Sequence, residues 1–335
     1  MPQFIPIGLA AGFATALLFA SASAGGMTGR FILFFLAPLP SYLAGIGWGA
    51  AAAGLAALMS AVATSLLLGI KTGLVFFISQ GIPLVILCRL LLMNRTLTAQ
   101  AVDGAPGVPI LEWYPIGRVL AAASLMAGAL SVVSIVLLGA DVEELRGMMR
   151  KLVDDVLSRE LPGLGPGEMT PANKESLASV LLYALPAGSA VLWLCGFSLN
   201  MWLAGKITLV SGRLARPWPD LTLIRFPSGF GLALAVALGL SMLPGLVGLL
   251  ASGAAGGLFF AYALMGLAIV HYATRGMAAR PLILAGLYGV LLVFNTTALI
   301  VVALIAILEP LLWNRRPPAS DYGPAPGGTP PPAPD

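Results

Sequence analysis

Charge is what this sequence has least of. Asp, Glu, Lys and Arg make up 10% of its 335 residues, against about a quarter in a soluble domain. There is one histidine, His271, and there are two cysteines, Cys88 and Cys195, both inside apolar stretches. That scarcity argues against a disulfide framework and against a His/Cys metal cluster, so neither a metal site nor a cofactor is expected. The GxxxxGK[ST], HExxH and CxxC motifs are all absent, which removes those routes to ATP, zinc and thiol chemistry. No nucleophile–base pair and no carboxylate dyad stands out, so the chain is not expected to be an enzyme. The formal net charge of +4 fits basic membrane-flanking loops rather than nucleic-acid affinity.

What the sequence has instead is apolar length. Hydrophobic residues are 59% of the chain and the mean hydropathy is +0.95. A helix crossing about 30 Å of hydrocarbon needs about 20 apolar residues. Because its backbone must satisfy itself in lipid, helices are selected; the short alternating segments of a β-barrel are not seen. The coarse spans are Phe4–Ala22, Phe31–Gly47, Ala50–Gly69, Gly73–Met93, Pro115–Gly139, Leu177–Lys206, Pro227–Leu250, Ala254–Ala273 and Pro281–Trp313. The expectation is an all-α, polytopic transmembrane bundle of about eight or nine helical elements over residues 1–316. Ala20-Ser21-Ala22 imitates a signal-peptidase site, but Met1-Pro2-Gln3 has no positive n-region, so a retained first helix is expected.

Basic residues set the orientation. Placing the Met93–Pro115 loop inside puts Arg89, Arg95, Arg118, Lys206, Arg213, Arg216, Arg225, Arg275 and Arg280 on the cytoplasmic side. Outside lie Arg30, Lys71 and the acidic-rich stretch 141–176. The N-terminus is then cytoplasmic, in a bacterial inner membrane. Pro281–Trp313 is long for one perpendicular span. A break at Asn295-Thr296-Thr297 would return Arg315 and Arg316 to the inside. Glu309, late in this segment, is expected to pair with one of those arginines.

In the outer loop Leu145, Met148, Met149, Leu152, Val153, Val156 and Leu157 recur at helical spacing, with charges filling much of the other face. This predicts an amphipathic helix ending at Pro162-Gly163. It is read as a surface or capping helix, with a lid over an outer cavity as the sharper alternative. Thr170-x-x-Asn173 with Pro171 marks the start of the next helix. Residues 317–335, rich in Pro, Gly and Ala, are expected to form a disordered, partly polyproline tail.

Polar interruptions are the candidate sites. Ser79-Gln80-Gly81-Ile82-Pro83 breaks the fourth span, since proline removes a backbone donor and Gln80 is costly in hydrocarbon unless partnered. Asn295 and Thr296 interrupt the last span, and Asn200 lies within the sixth. Interrupted spans near mid-membrane point to a solute site; kinks with interhelical hydrogen bonds are the plainer reading. The candidate substrate-binding residues are Gln80, Asn200, Asn295 and Thr296. His271, at a helix end, is read as an interfacial hydrogen-bonding group. Gly8, Gly12, Ala16 and Ala20 form a small-residue stripe on the first span, and Ala53, Ala57, Ala61 and Ser65 form one on the third. Such stripes let helices approach closely, either inside this bundle or against a partner membrane subunit.

Several of these residues carry a resemblance. Leu36-Ala37-Pro38-Leu39-Pro40, the glycines Gly45, Gly47 and Gly49, and Gln80-Gly81-Ile82-Pro83 resemble the YybS-like bacterial membrane proteins, a domain of unknown function. So do Asn200-x-x-x-Ala204, Arg216-Pro217, Gly266-Leu267-Ala268-Ile269-Val270-His271 and the closing Glu309 with Arg315 and Arg316. That family is distantly similar to the substrate-binding membrane subunits of energy-coupling-factor transporters. The distant similarity implies a vitamin or metal ligand, a coupling subunit with ATPases, and docking through a first-helix stripe such as Gly8, Gly12, Ala16 and Ala20. Such subunits usually have about six spans, and this chain has more. The function expected is solute binding related to transport, energised by a separate membrane partner or ATPase module. A non-catalytic membrane scaffold or assembly factor is the alternative. The expected surroundings are the lipid bilayer and a small-molecule ligand, without nucleic acid.

Overall fold

A computed structural model describes residues 3–24, 27–98, 109–139, 141–160, 170–312 and 322–324. Among the described residues, eight stretches are long and apolar enough to cross a bilayer. The chain is an all-α bundle with one small sheet. The helices are α1 (Phe4–Ala24), α2 (Met27–Leu36), α3 (Leu39–Trp48), α4 (Ala50–Leu68), α5 (Ile70–Phe76) and α6 (Ile82–Leu92), then α7 (Ile116–Leu137), α8 (Val142–Glu160), α9 (Pro171–Val210), α10 (Phe230–Ser241), α11 (Gly245–Ala273) and α12 (Arg280–Leu312).

In lipid, apolar faces gain little by burying each other, so close van der Waals approach must hold the helices together. The α1–α4 contact shows how. An added Cβ at Gly8 would sit 2.9 Å from the Ala52 carbonyl, and one at Gly12 would overlap the Ala56 carbonyl. Ala16 is fully buried on the same side. Of the stripe Gly8, Gly12, Ala16 and Ala20, read either as packing inside this bundle or as docking for a partner subunit, Gly8 and Gly12 lie against α4 and Ala16 is buried. Ala53 and Ala57 on α4 pack with Tyr42, Ile46, Leu84 and Cys88 of α3 and α6. The second half of the bundle centres on α7, α9 and α11, whose core includes Leu120, Leu194, Phe197, Leu258 and Tyr262.

Prolines break two of the spans. Ala37 and Pro38 separate α2 from α3, and residues 77–81 between α5 and α6 wind as a π-turn. Pro83 cannot donate to the carbonyl four residues back, and the wider turn is one way to absorb that loss. α9 runs for 40 residues, about 60 Å at 1.5 Å each. That is twice the hydrocarbon thickness, so one end stands clear of the bilayer. α8 packs on that end: Val153 is buried against Ala178, and Leu145 joins Ile135, Leu182 and Leu249. Arg150 meets Glu175, and Lys174 meets Asp154 at 2.8 Å. α8 is thus a cap on the α7–α9–α11 end, in keeping with the plainer reading. Thr170 Oγ1 accepts from the Asn173 amide at 3.2 Å, with Pro171 in the first turn. The Pro162-Gly163 stop lies outside the described residues.

Two features differ from expectation. The span expected over Pro227–Leu250 is only the twelve-residue α10, about 18 Å, followed by a turn at Met242–Pro244 in which Gly245 takes φ +77°. α11 then begins nine residues earlier than the expected Ala254. Hydrophobicity runs unbroken through that turn, so composition cannot mark it. Second, Asn94–Thr98 (β1) and Pro109–Trp113 (β2) pair antiparallel, and Arg95 forms an ion pair with Glu112 across them. Tyr322–Pro324 (β3), within the expected tail, adds a third strand against β2. The rest of that tail lies outside the described residues, as do Arg315 and Arg316. Glu309 lies 3.6 Å from Arg225; the arginines expected to pair with it are outside the described residues.

α12 is broken at Asn295, whose φ of 28° and ψ of −97° are not helical. Tyr288 before the break reaches His271 on α11, while the Val302 carbonyl after it lies against Gly266. Unbroken helix would carry position 302 about 21 Å beyond 288, whereas 266 and 271 are only about 8 Å apart along α11. The second leg is folded back onto the same part of α11.

Replacing Gly12 by Leu should separate α1 from α4 and destabilise the bundle by about 1–3 kcal/mol. Gly54→Ala, on an open face with nothing near its Cβ position, should be neutral or slightly stabilising. Thermal unfolding of both variants in the same detergent tests this; equal melting points would show that the close approach contributes nothing.

Candidate functional site

The two proline-broken spans meet on α9. Opening the helix at Ala37–Pro38 frees the Phe35 carbonyl from an intrahelical partner. Asn200, 1% exposed, takes it: Nδ2 donates to Phe35 O at 2.7 Å and to Gly196 O at 2.8 Å. This spends both donors. Oδ1 is left buried without a partner, which costs about 1–3 kcal/mol unless something occupies it.

Asn200 lines a cavity of about 240 Å³ together with Phe31, Phe34, Trp193, Phe197 and Gln80. Gln80 belongs to the π-turn of the broken fourth span. The same side chain, with Phe34 and Trp193, also borders an adjoining cavity of about 400 Å³ that reaches Lys71 and Thr72. Aromatic rings wall both spaces. Phe19 stands edge-on to Phe76 at 4.8 Å, Phe34 lies 6.5 Å from Trp193, and Trp193 stacks on Phe197 at 6.1 Å. Ser189, another lining residue, donates to the Pro186 carbonyl at 2.8 Å. The arrangement offers flat apolar walls and two amide groups, and the residues lining the two cavities include no carboxylate.

Two sequence-predicted residues are thus brought together, Gln80 and Asn200. Asn295 and Thr296 are not: both are exposed on the outside of the bundle, at the break in α12. His271 accepts or donates one hydrogen bond, 2.9 Å from the Tyr288 hydroxyl, and lines a separate, larger cavity at the sheet end of the bundle. Sequence reasoning missed the aromatic walls. Trp193, one of six tryptophans, sits in an apolar run where nothing in composition distinguishes a cavity wall from a lipid-facing ring. The break at Leu36-Ala37-Pro38-Leu39-Pro40 was the available signal for Phe35.

The family model described as "Predicted membrane protein (DUF2232)" matches residues 13–308. Comparison with curated proteins and with solved structures gives no match. The expected likeness to a membrane family without assigned function is met. The distant similarity to energy-coupling-factor subunits is not shown.

Asn200→Ala should leave the Phe35 carbonyl unsatisfied and cost about 1–3 kcal/mol of bundle stability. Asn200→Gln, which keeps the donor, should recover part of it. The check is detergent-resistance or thermal unfolding of the three proteins. An alanine variant as stable as the parent would mean that Asn200 does not hold the break.

Proposed function

We propose that the chain, a member of the DUF2232 family of membrane proteins, binds a small solute between its broken spans and takes part in its transport, with energy supplied by a separate membrane partner or ATPase module. The single observation that carries this reading is the convergence of two interrupted spans on Asn200, whose Oδ1 is buried and unpartnered beside a cavity. Discontinuous helices at mid-membrane free backbone groups and make polar sites where lipid otherwise forbids them. A satisfied kink needs no cavity and leaves no acceptor over. The solute that fits has an aromatic or otherwise flat apolar body and a hydrogen-bond donor for Oδ1.

In this reading the sheet end faces the cytoplasm. That end gathers Arg89, Arg118, Lys206, Arg213 and Arg280, while the α8 end is rich in Asp and Glu. Basic residues near span ends favour the cytoplasmic side. The N-terminus of α1 is then cytoplasmic as well.

Two measurements test these statements. A small molecule retained by the protein from its native membrane should be found by mass spectrometry of the mildly purified sample. Gln80→Leu should weaken its retention about fivefold, the worth of one hydrogen bond, and Trp193→Ala should do so by more. No retained molecule, or retention unchanged in both variants, overturns the solute reading. For orientation, a cysteine at Asp155 should label from outside intact cells and one at Arg95 only after permeabilisation; the reverse pattern inverts the assignment.

A further inference from the structure

The sheet end holds a cavity of about 720 Å³, a volume in the range of ligand sites. It lies between α9, α11 and segment 211–229, on the other side of α9 from Asn200's aromatic chamber. Leu120, Leu199, Met201, Leu264 and Ala268 give it an apolar interior. Its polar groups are of another kind. Arg216 is 4% exposed, and its Nη1 donates to the carbonyls of Leu91 at 3.0 Å and Tyr114 at 3.3 Å. Those bonds fix the guanidinium in the wall. His271 and Tyr288, both lining residues, hold each other by one hydrogen bond. The Ser198 hydroxyl, on a lining residue, is buried without a partner. Lys206 stands 4.2 Å over the ring of Trp218, another lining residue, and adds positive charge behind the wall. Among the described residues that line the cavity there is no carboxylate.

The rim shows how a ligand enters. Leu199, Trp202 and Tyr288 line the cavity and are also exposed on the outside of the bundle. Trp and Tyr favour the level where hydrocarbon meets headgroups. The rim therefore carries the residue types found at headgroup depth.

We propose that this cavity takes a phosphate-headed membrane amphiphile, its chain entering past Trp202 and Tyr288 into the apolar interior and its head held at Arg216 and His271. A guanidinium fixed by carbonyls meets phosphate oxygens with little further loss of freedom. The proposal is independent of the solute site at Gln80 and Asn200, since the two cavities share no lining residue.

The full chain in phosphatidylcholine nanodiscs, labelled with a photoreactive alkyl phosphate, provides the test. Adducts should concentrate on 199–205 of α9 and 264–271 of α11. Dodecyl phosphate should compete, whereas dodecyltrimethylammonium and inorganic phosphate should not. Arg216→Gln should lower competed labelling about tenfold, the equivalent of about 1.4 kcal/mol. Because Arg216 also caps two carbonyls, Ala268→Trp is the second variant: it fills the cavity from α11, leaves those bonds alone, and should abolish the same adducts. Labelling spread over all lipid-facing helices, equal competition by the ammonium amphiphile, or labelling unchanged by Ala268→Trp overturns the proposal. Competition by inorganic phosphate as strong as by dodecyl phosphate also overturns it, and assigns the pocket to a free anion.

Discussion

A backbone carbonyl left without a donor in hydrocarbon has no water to turn to, and much of this bundle is arranged around that constraint. The chain interrupts its own helices at Ala37–Pro38, in the π-turn before Pro83 and at Asn295, and carries Pro186 inside α9. Side chains from distant positions then serve carbonyls at breaks and helix ends. Asn200 donates to Phe35, Ser131 to Pro186 at 2.8 Å, and Arg216 to Leu91 near the end of α6. These bonds span 165, 55 and 125 positions of sequence. They tie α2 to α9, α7 to α9, and segment 211–229 to α6. Polar residues in the membrane thus act first as structural donors, and only what they leave over is available to a ligand.

That ordering explains why both cavities flank α9. The helix presents Trp193, Gly196, Phe197 and Asn200 to one chamber and Ser198, Leu199, Met201, Trp202 and Gly205 to the other. Residues at i and i+4 share a face and neighbours do not, so a single helix can wall two unlike spaces. On one face the polar remainder is an acceptor, Asn200 Oδ1. On the other it is cationic, from Arg216 and Lys206. The two sides therefore differ in hydrogen-bonding character. Because α9 also extends to carry α8 through Arg150–Glu175 and Lys174–Asp154, the α8 cap and both chambers rest on one element.

Much of this was legible in the sequence and some was not, for definite reasons. Span number and length follow from hydrocarbon thickness, and they came through because a twenty-residue apolar run has few other uses. Gln80 was legible because Pro83 lies three residues away, and Asn200 because an amide in an apolar run needs a partner. Which face Asn295 presents was not legible, since the break that makes it conspicuous also removes the helical periodicity that would place it. The turn at Met242–Gly245 was hidden because its residues are as apolar as the helices it joins. β1 and β2 were hidden because a pair of five-residue strands inside a long loop has too little alternation to stand apart. The larger cavity was hidden because its walls are ordinary membrane residues. Of its unusual members, Arg216 reads in sequence as a loop charge for orientation and His271 as an interfacial hydrogen-bonding group.

The small-residue stripes teach a related point about partners. Gly8, Gly12 and Ala16 have the spacing that lets two helices touch, and within this chain α4 already makes that contact. The apolar side chains that remain exposed, such as Leu292 at 85% on the first leg of α12, are no evidence of a second subunit, because lipid tails cover Leu as well as a protein does. A partner would have to be recognised by what lipid cannot satisfy: charge and hydrogen bonding at the two ends. The α8 end offers one such surface, where Glu143, Arg150 and Glu175 form exposed ion pairs that water and salt weaken. Specific association of this protein in the membrane is therefore more readily built from its ends than from its helical flanks.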